Sequence, residues 1–160
     1  MAAKKISIYK EVNTDEELLE SLHTQGLACI EIASQFCGYA KAMEQTTRRI
    51  FMDRGDRPIH FLRILAENSE LFAPLRARSA PHFVIVKNGV FVEMLTGLDP
   101  TKFEPAILKS APASLDDCPR EKDLPPFDTD HLMHIMSALD TPKPPAEYLT
   151  VFEEEEEADE

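Results

Sequence analysis

Few side chains in this chain could act as nucleophiles or metal ligands. Cys29, Cys37 and Cys118 are the only cysteines among 160 residues. They are too few and too scattered for a disulfide framework, and no Cys/His cluster has the spacing of zinc ligands. A reducing intracellular compartment is expected. Cys29 falls inside a short apolar run and reads as an inert core filler. Cys118 sits in a polar stretch, where exposure would be its only route to reactivity. Cys37, in Gln35-Phe36-Cys37-Gly38, stands where an apolar run gives way to a helical pattern, and it is the thiol best placed to do chemistry. His131 and His134 are three apart, which a helix permits for a metal site, but no acid or third ligand has a fixed place beside them. No metal and no cofactor are expected.

Charge narrows the partners. Residues 113–160 carry 15 of the 29 acids and 3 of the 17 bases, a net of −12; the 14 acids and 14 bases of residues 1–112 cancel. An acidic tail repels a phosphate backbone, so nucleic acid is not an expected partner. The run from Glu153 to Glu157 is either a solvated end or an electrostatic handle for a basic surface. No window holds the ~18 apolar residues of a membrane span, and Met1-Ala2-Ala3-Lys4-Lys5 has no apolar run behind it. The chain is expected to be soluble and cytoplasmic.

The elements that must position Cys37 follow from hydrophobic period and from turn residues. Ile6–Tyr9 alternates like a short strand. Asn13 or Thr14 caps a helix bearing Leu18, Leu19 and Leu22, with Glu16 or Glu17 completing a capping box, and Gly26 ends it. Leu27–Ala33 is a mostly apolar run that reads as a central strand. A long helix is predicted from Tyr39 to Met52, a strand over Ile59–Leu65 and a short helix over Ser69–Arg76. Pro81 then opens the strand His82–Val86, Asn88-Gly89 makes a two-residue hairpin turn, and Phe91–Leu95 returns. Asp99 or Thr101 starts a last amphipathic helix bearing Phe103, Ile107 and Leu108. The order β-α-β-α-β-α-β-β-α predicts an α/β fold with a central mixed sheet and helices on both faces. The domain is expected to span 1–112. Residues 113–160 hold six of the 12 prolines and are expected to be extended when alone, apart from a short helix near 131–139.

Three landmarks in order carry a resemblance. Phe36-Cys37-Gly38-Tyr39-Ala40-Lys41-Ala42-Met43 is similar to the active-site segment of thioredoxins. Ser79-Ala80-Pro81-His82-Phe83 resembles the loop that holds that family's cis-proline, and Val86-Lys87-Asn88-Gly89 resembles its hairpin. The likeness covers about residues 5–110 and implies a thioredoxin-like fold. Within the family, the opening Met-Ala-Ala-Lys-Lys, the Gln25-Gly26-Leu27 entry to the central strand and the stretch from Ala80 to Val90 look most like the thioredoxin-like light chains of axonemal outer-arm dynein and related ciliary proteins.

The resemblance assigns roles. A thioredoxin uses a low-pKa thiolate to attack a disulfide and a second cysteine three positions on to resolve it. Cys37 occupies the attacking position, near a helix N-terminus whose dipole would favour a thiolate. Ala40 occupies the resolving position, Tyr39 replaces the proline and Phe36 the tryptophan, so a dithiol cycle within this loop is excluded. Cys37 is then either a relict in a fold kept as a binding surface or a monothiol that forms mixed disulfides or senses redox state. Glu31 takes the place of the buried acid and is expected to be hydrogen-bonded by Lys or water. Pro81 is expected to be cis, with Tyr39, Ala80 and Pro81 forming an edge that binds peptide or protein. The resemblance implies a non-catalytic subunit of an axonemal dynein in a cilium or flagellum. It would dock on a heavy-chain tail or a neighbouring subunit and have no small-molecule substrate. Phe127, Leu132, Ile135, Met136, Tyr148, Val151 and Phe152 are the expected tail anchors. A monothiol oxidoreductase and a peptide-binding chaperone module are the competing classes.

Overall fold

The computed structural model describes residues 8–35, 37–76 and 80–138. Five strands, β1 (Tyr9–Glu11), β2 (Leu27–Ala33), β3 (Ile59–Leu65), β4 (His82–Lys87) and β5 (Val90–Thr96), form one sheet in the order β1-β3-β2-β4-β5. β1, β3 and β2 run parallel, while β4 and β5 add antiparallel pairs. This is the expected thioredoxin-like α/β arrangement. All seven residues of β2 are buried, which is why its sequence shows an apolar run rather than alternation.

Helices α1 (Asp15–Leu22), α2 (Glu44–Asp53) and α3 (Pro100–Ser110) flank these strands in sequence, and α4 (Thr129–Ser137) follows. Thr14 caps α1, its hydroxyl accepting from the Glu17 N–H, while the Glu17 carboxylate accepts from the Asn13 N–H at 3.2 Å; both ends of this box were legible in the sequence. Asp99 caps α3 through the Thr101 N–H. One apolar cluster joins Cys29, Phe61, Phe83 and Ile85 of the sheet to Met43, just before α2, to Ile50 of α2 and to Phe103 and Ile107 of α3. Phe83 and Phe103 meet edge to face with centroids 4.9 Å apart. Leu18, Leu22, Ile30, Ile32, Ile64, Val84, Phe72 and Leu75 are buried outside that cluster.

Two helices differ from expectation. Ser69–Arg76 is not a helix; short 3₁₀ turns at Ala66–Asn68 and Ala73–Leu75 take its place. Side chains satisfy the backbone here: the Asp15 carboxylate accepts from the Ser69 hydroxyl and from the Glu70 and Leu71 N–H groups, and Arg76 donates to the Ala66 and Ser69 carbonyls. Pro74 also lacks the N–H that a continuing helix needs. The helix expected from Tyr39 opens later, with a 3₁₀ turn at Lys41–Met43 and α-helical geometry only from Glu44.

The hairpin turn is as read, with Asn88 at φ 51° and Gly89 at φ 83°. Asn88 ties it to the start of β2, its side chain accepting from the Gly26 N–H at 2.7 Å and its own N–H donating to the Gly26 carbonyl at 2.8 Å. The chain after α3 returns to this end of the sheet. Gln25 donates to the Pro119 carbonyl at 2.6 Å, and a Cβ on Gly89 would stand 2.9 Å from the Pro125 carbonyl oxygen. Leu124 is 5% exposed. The first compact unit accordingly runs to Thr129, past the boundary expected at 112, and a second begins at Asp130. Prolines and charges suggested an extended segment. The pairing of its backbone with Gln25 and the burial of Leu124 tie the first part of that segment to the domain. In the second unit α4 sits two residues earlier than expected; Leu132 and Met136 are buried and Met133 exposed. Ile6, Phe36, Ser79, Leu139, Tyr148, Val151 and Phe152 lie outside the described residues. Among the described residues, no helix is long and apolar enough to cross a membrane.

The docking of residues 113–129 has a mutational signature. Leu124→Ala is expected to lower stability by about 2 kcal/mol or more, whereas Leu115→Ala, at a side chain 55% exposed, should stay within about 0.5 kcal/mol. Urea denaturation of the two variants checks this.

Candidate functional site

β2 ends at Ala33, and the Ser34 carbonyl turns the chain by accepting from the Cys37 N–H at 3.2 Å and the Gly38 N–H at 2.8 Å. Gly38 completes the turn at φ 68°, a conformation that favours glycine. Cys37 is exposed, Cys29 is buried and Cys118 is half-buried. Burial pushes the Cys29 thiol well above its ordinary value, helped by the nearby Glu31 charge, which fits an inert filler. Cys37 does not sit at a helix start. Gly38, Tyr39 and Ala40 intervene before the first 3₁₀ turn.

A cleft of about 110 Å³ lies beside Cys37, lined by Ala33, Ser34, Gly38, Tyr39, Ala40, Ala80, Pro81 and Leu98. The loop and the Ala80–Pro81 segment are therefore brought together as the resemblance implied. Pro81 itself differs, because no peptide bond among the described residues is cis, that of Ala80–Pro81 included. Trans is the intrinsically favoured isomer, and with it the Pro81 carbonyl already accepts from the Gly97 N–H at 2.8 Å. Leu98, 49% exposed, also lines the cleft and was missed; its only sequence signal is an apolar residue just after Gly97. A wider groove of about 720 Å³ lies by β1, the first half of β3 and α1, on residues with no chemistry in common with Cys37. No group of three or more possible metal ligands occurs among the described residues.

Beneath the loop lies an array that the sequence reading missed. Register places Arg63 of β3 beside Glu31 of β2, and both are buried. Arg63 Nη2 is 3.6 Å from Glu31 Oε1 and 3.2 Å from Glu44 Oε1. Its guanidinium lies over the Tyr9 ring at 3.6 Å and the Tyr39 ring at 4.8 Å. Glu31 Oε2 accepts from the Ala40 N–H at 3.2 Å. Tyr9 donates to the Thr47 hydroxyl at 2.5 Å. Among the described residues, Glu31 is partnered by Arg63 and the Ala40 N–H. An arginine in the middle of an otherwise apolar strand, Ile59-His60-Phe61-Leu62-Arg63-Ile64-Leu65, was the available signal, since arginine is almost never buried unless paired.

Burial raises the Glu31 carboxyl above the ordinary carboxylate range, with the Arg63 charge and the Ala40 N–H opposing. Burial likewise pushes the Tyr9 and Tyr39 phenols up to about 12. A carboxyl whose folded value is raised contributes stability that is complete below its unfolded value and is lost as pH rises through the folded one. Between pH 4 and pH 7, stability should therefore shift in favour of Glu31→Gln relative to wild type. Urea midpoints of both proteins at the two pH values check this, and a constant difference between them would contradict it.

No family model matches the chain. Over 120 residues it is 30% identical to the 16 kDa light chain of the flagellar outer-arm dynein of Chlamydomonas reinhardtii, covering 72% of this chain and 77% of that protein. It is 33% identical over 110 residues to a chloroplastic thioredoxin-like protein of Arabidopsis thaliana, covering 62% of this chain and about half (54%) of that protein. The crystal structure of a thioredoxin from Nicotiana alata superposes with a TM-score of 0.54 at 20% identity, over 70% of this chain and 100% of that one.

Proposed function

The chain belongs to the family of the flagellar outer-arm dynein 16 kDa light chain, and from that membership we propose that it is a non-catalytic light chain of an axonemal outer-arm dynein, located in a cilium or flagellum. It docks on a heavy-chain tail or a neighbouring subunit. The observation that carries this reading is the site itself. Cys37 has Ala40 at the resolving position, and the space beneath the loop is filled by Arg63, Glu31 and two tyrosine rings. Such a site supports a fixed shape better than it supports thiol exchange.

The docking surface is the cleft between Tyr39 and Ala80–Pro81, with Leu98 at its rim. Its lining is largely apolar and suits one aliphatic side chain of a partner. The proposed tail anchors differ in burial. Leu132 and Met136 are buried. Phe127 and Ile135 are half-buried, with Tyr148, Val151 and Phe152 proposed on sequence grounds alone.

Exposed Cys37 favours a second reading, a monothiol oxidoreductase or redox sensor. Tagged wild-type and Cys37→Ser proteins, used to capture partners from a salt extract of axonemes, separate the two. If both retain the same dynein subunits and reductant releases nothing further, the subunit reading stands. Proteins held by wild type alone and released only by reductant would establish the monothiol reading instead.

A further inference from the structure

We infer that Arg63 is the positioning residue of the docking loop: its guanidinium carries the Tyr39 ring and thereby sets the shape of the cleft. The inference rests on the docking reading above and concerns how that site is held.

Three tethers run from the buried sheet to residues 39–44. Glu31 holds the Ala40 N–H at 3.2 Å, the Arg63 guanidinium lies 4.8 Å from the Tyr39 ring centroid, and Arg63 Nη2 reaches Glu44 Oε1 at 3.2 Å. Glu44 is the first residue of α2. Ring and helix start are thus referred to one guanidinium on β3, and the loop to the Glu31 carboxylate beside it. Tyr9, donating to Thr47 of α2, has its ring centroid 3.6 Å from the same guanidinium carbon.

The geometry is that of a stacked spacer more than that of a charge-neutralising pair. A guanidinium present to neutralise Glu31 would be expected to grip it with two short parallel bonds. Here the approach is a single 3.6 Å contact, and neither Glu31 Oε1 nor Arg63 Nε has a hydrogen-bond partner among the described residues. The guanidinium carbon instead lies over two aromatic rings, at 3.6 Å from the Tyr9 centroid and 4.8 Å from that of Tyr39. Lysine could supply the charge but not the planar stack. Tyr39 and Ala40 line the cleft on one side, facing Ala80 and Pro81, so a shift of the ring alters the cleft directly.

The test compares full-length wild type, Arg63→Lys, Arg63→Met and the double variant Glu31→Gln/Arg63→Met. Amide hydrogen exchange at Ala40, whose N–H is bonded to Glu31, is read against the Ile85 amide of the central ladder. In Arg63→Met, Ala40 is expected to exchange at least tenfold faster relative to Ile85. Arg63→Lys should also loosen the loop, because it keeps charge and loses the stack. If Arg63→Met fails to fold with Glu31 left uncompensated, the double variant replaces it, since its Glu31→Gln change removes the charge and keeps a side-chain oxygen able to accept from the Ala40 N–H. Acceleration of Ala40 by the same factor as Ile85 means a purely structural ion pair and overturns the inference. The exchange measurement needs no partner. If the loop loosens while capture of dynein subunits is unchanged, the positioning role stands and the docking reading fails.

Discussion

Everything at the Cys37 end of the sheet depends on how two charges are accommodated inside it. Glu31 and Arg63 occupy adjacent strands in register, both buried. Removing water from either alone would cost several kcal/mol, and breaking such a pair at one end typically costs about 3–5 kcal/mol. That is a large part of the roughly 5–15 kcal/mol that holds a domain together. Arg63 stays beside Glu31 at 3.6 Å and is itself met by Glu44 and two tyrosine rings. This network reaches the surface through Tyr39 and Ala40, which ties the loop geometry to the interior of the sheet.

Function follows from what this arrangement leaves undone. Disulfide exchange needs an activated thiolate, a resolving thiol and a loop that can move between mixed-disulfide and released states. The chain has one exposed thiol and no thiol at Ala40, and its helix opens only after Lys41–Met43. The proposed docking uses the small apolar cleft and its Ala80–Pro81 wall. At the opposite end, residues 113–129 return to the hairpin and the start of β2, so that part of the acidic segment is committed to the domain itself.

Much of the fold was legible because local chemistry and tertiary structure agree. β2, β3, the Asn-Gly hairpin and the Thr14 and Asp99 caps are readable from apolar runs, turn residues and side-chain oxygens. Disagreement arose where side chains from distant elements take over the backbone. Pro74 lacks the N–H that a helix over Ser69–Arg76 would need, and Asp15 fixes the turn there through the Glu70 and Leu71 N–H groups, as Glu31 fixes the one at Ala40. Arg63 was overlooked because a strand pattern scores it only as an interruption; its meaning depends on register with Glu31, which no local window contains. The path of residues 113–129 was hidden for the same reason, since composition reports charge and proline but not the reach of Gln25.

The claim that this site binds rather than catalyses is tested most directly by reduction of insulin disulfides with glutathione as the reductant, comparing wild type, Cys37→Ser and a protein-free control. Equal rates in all three are predicted. Turnover that depends on Cys37 would contradict the account and make the exposed thiol the working group of the site.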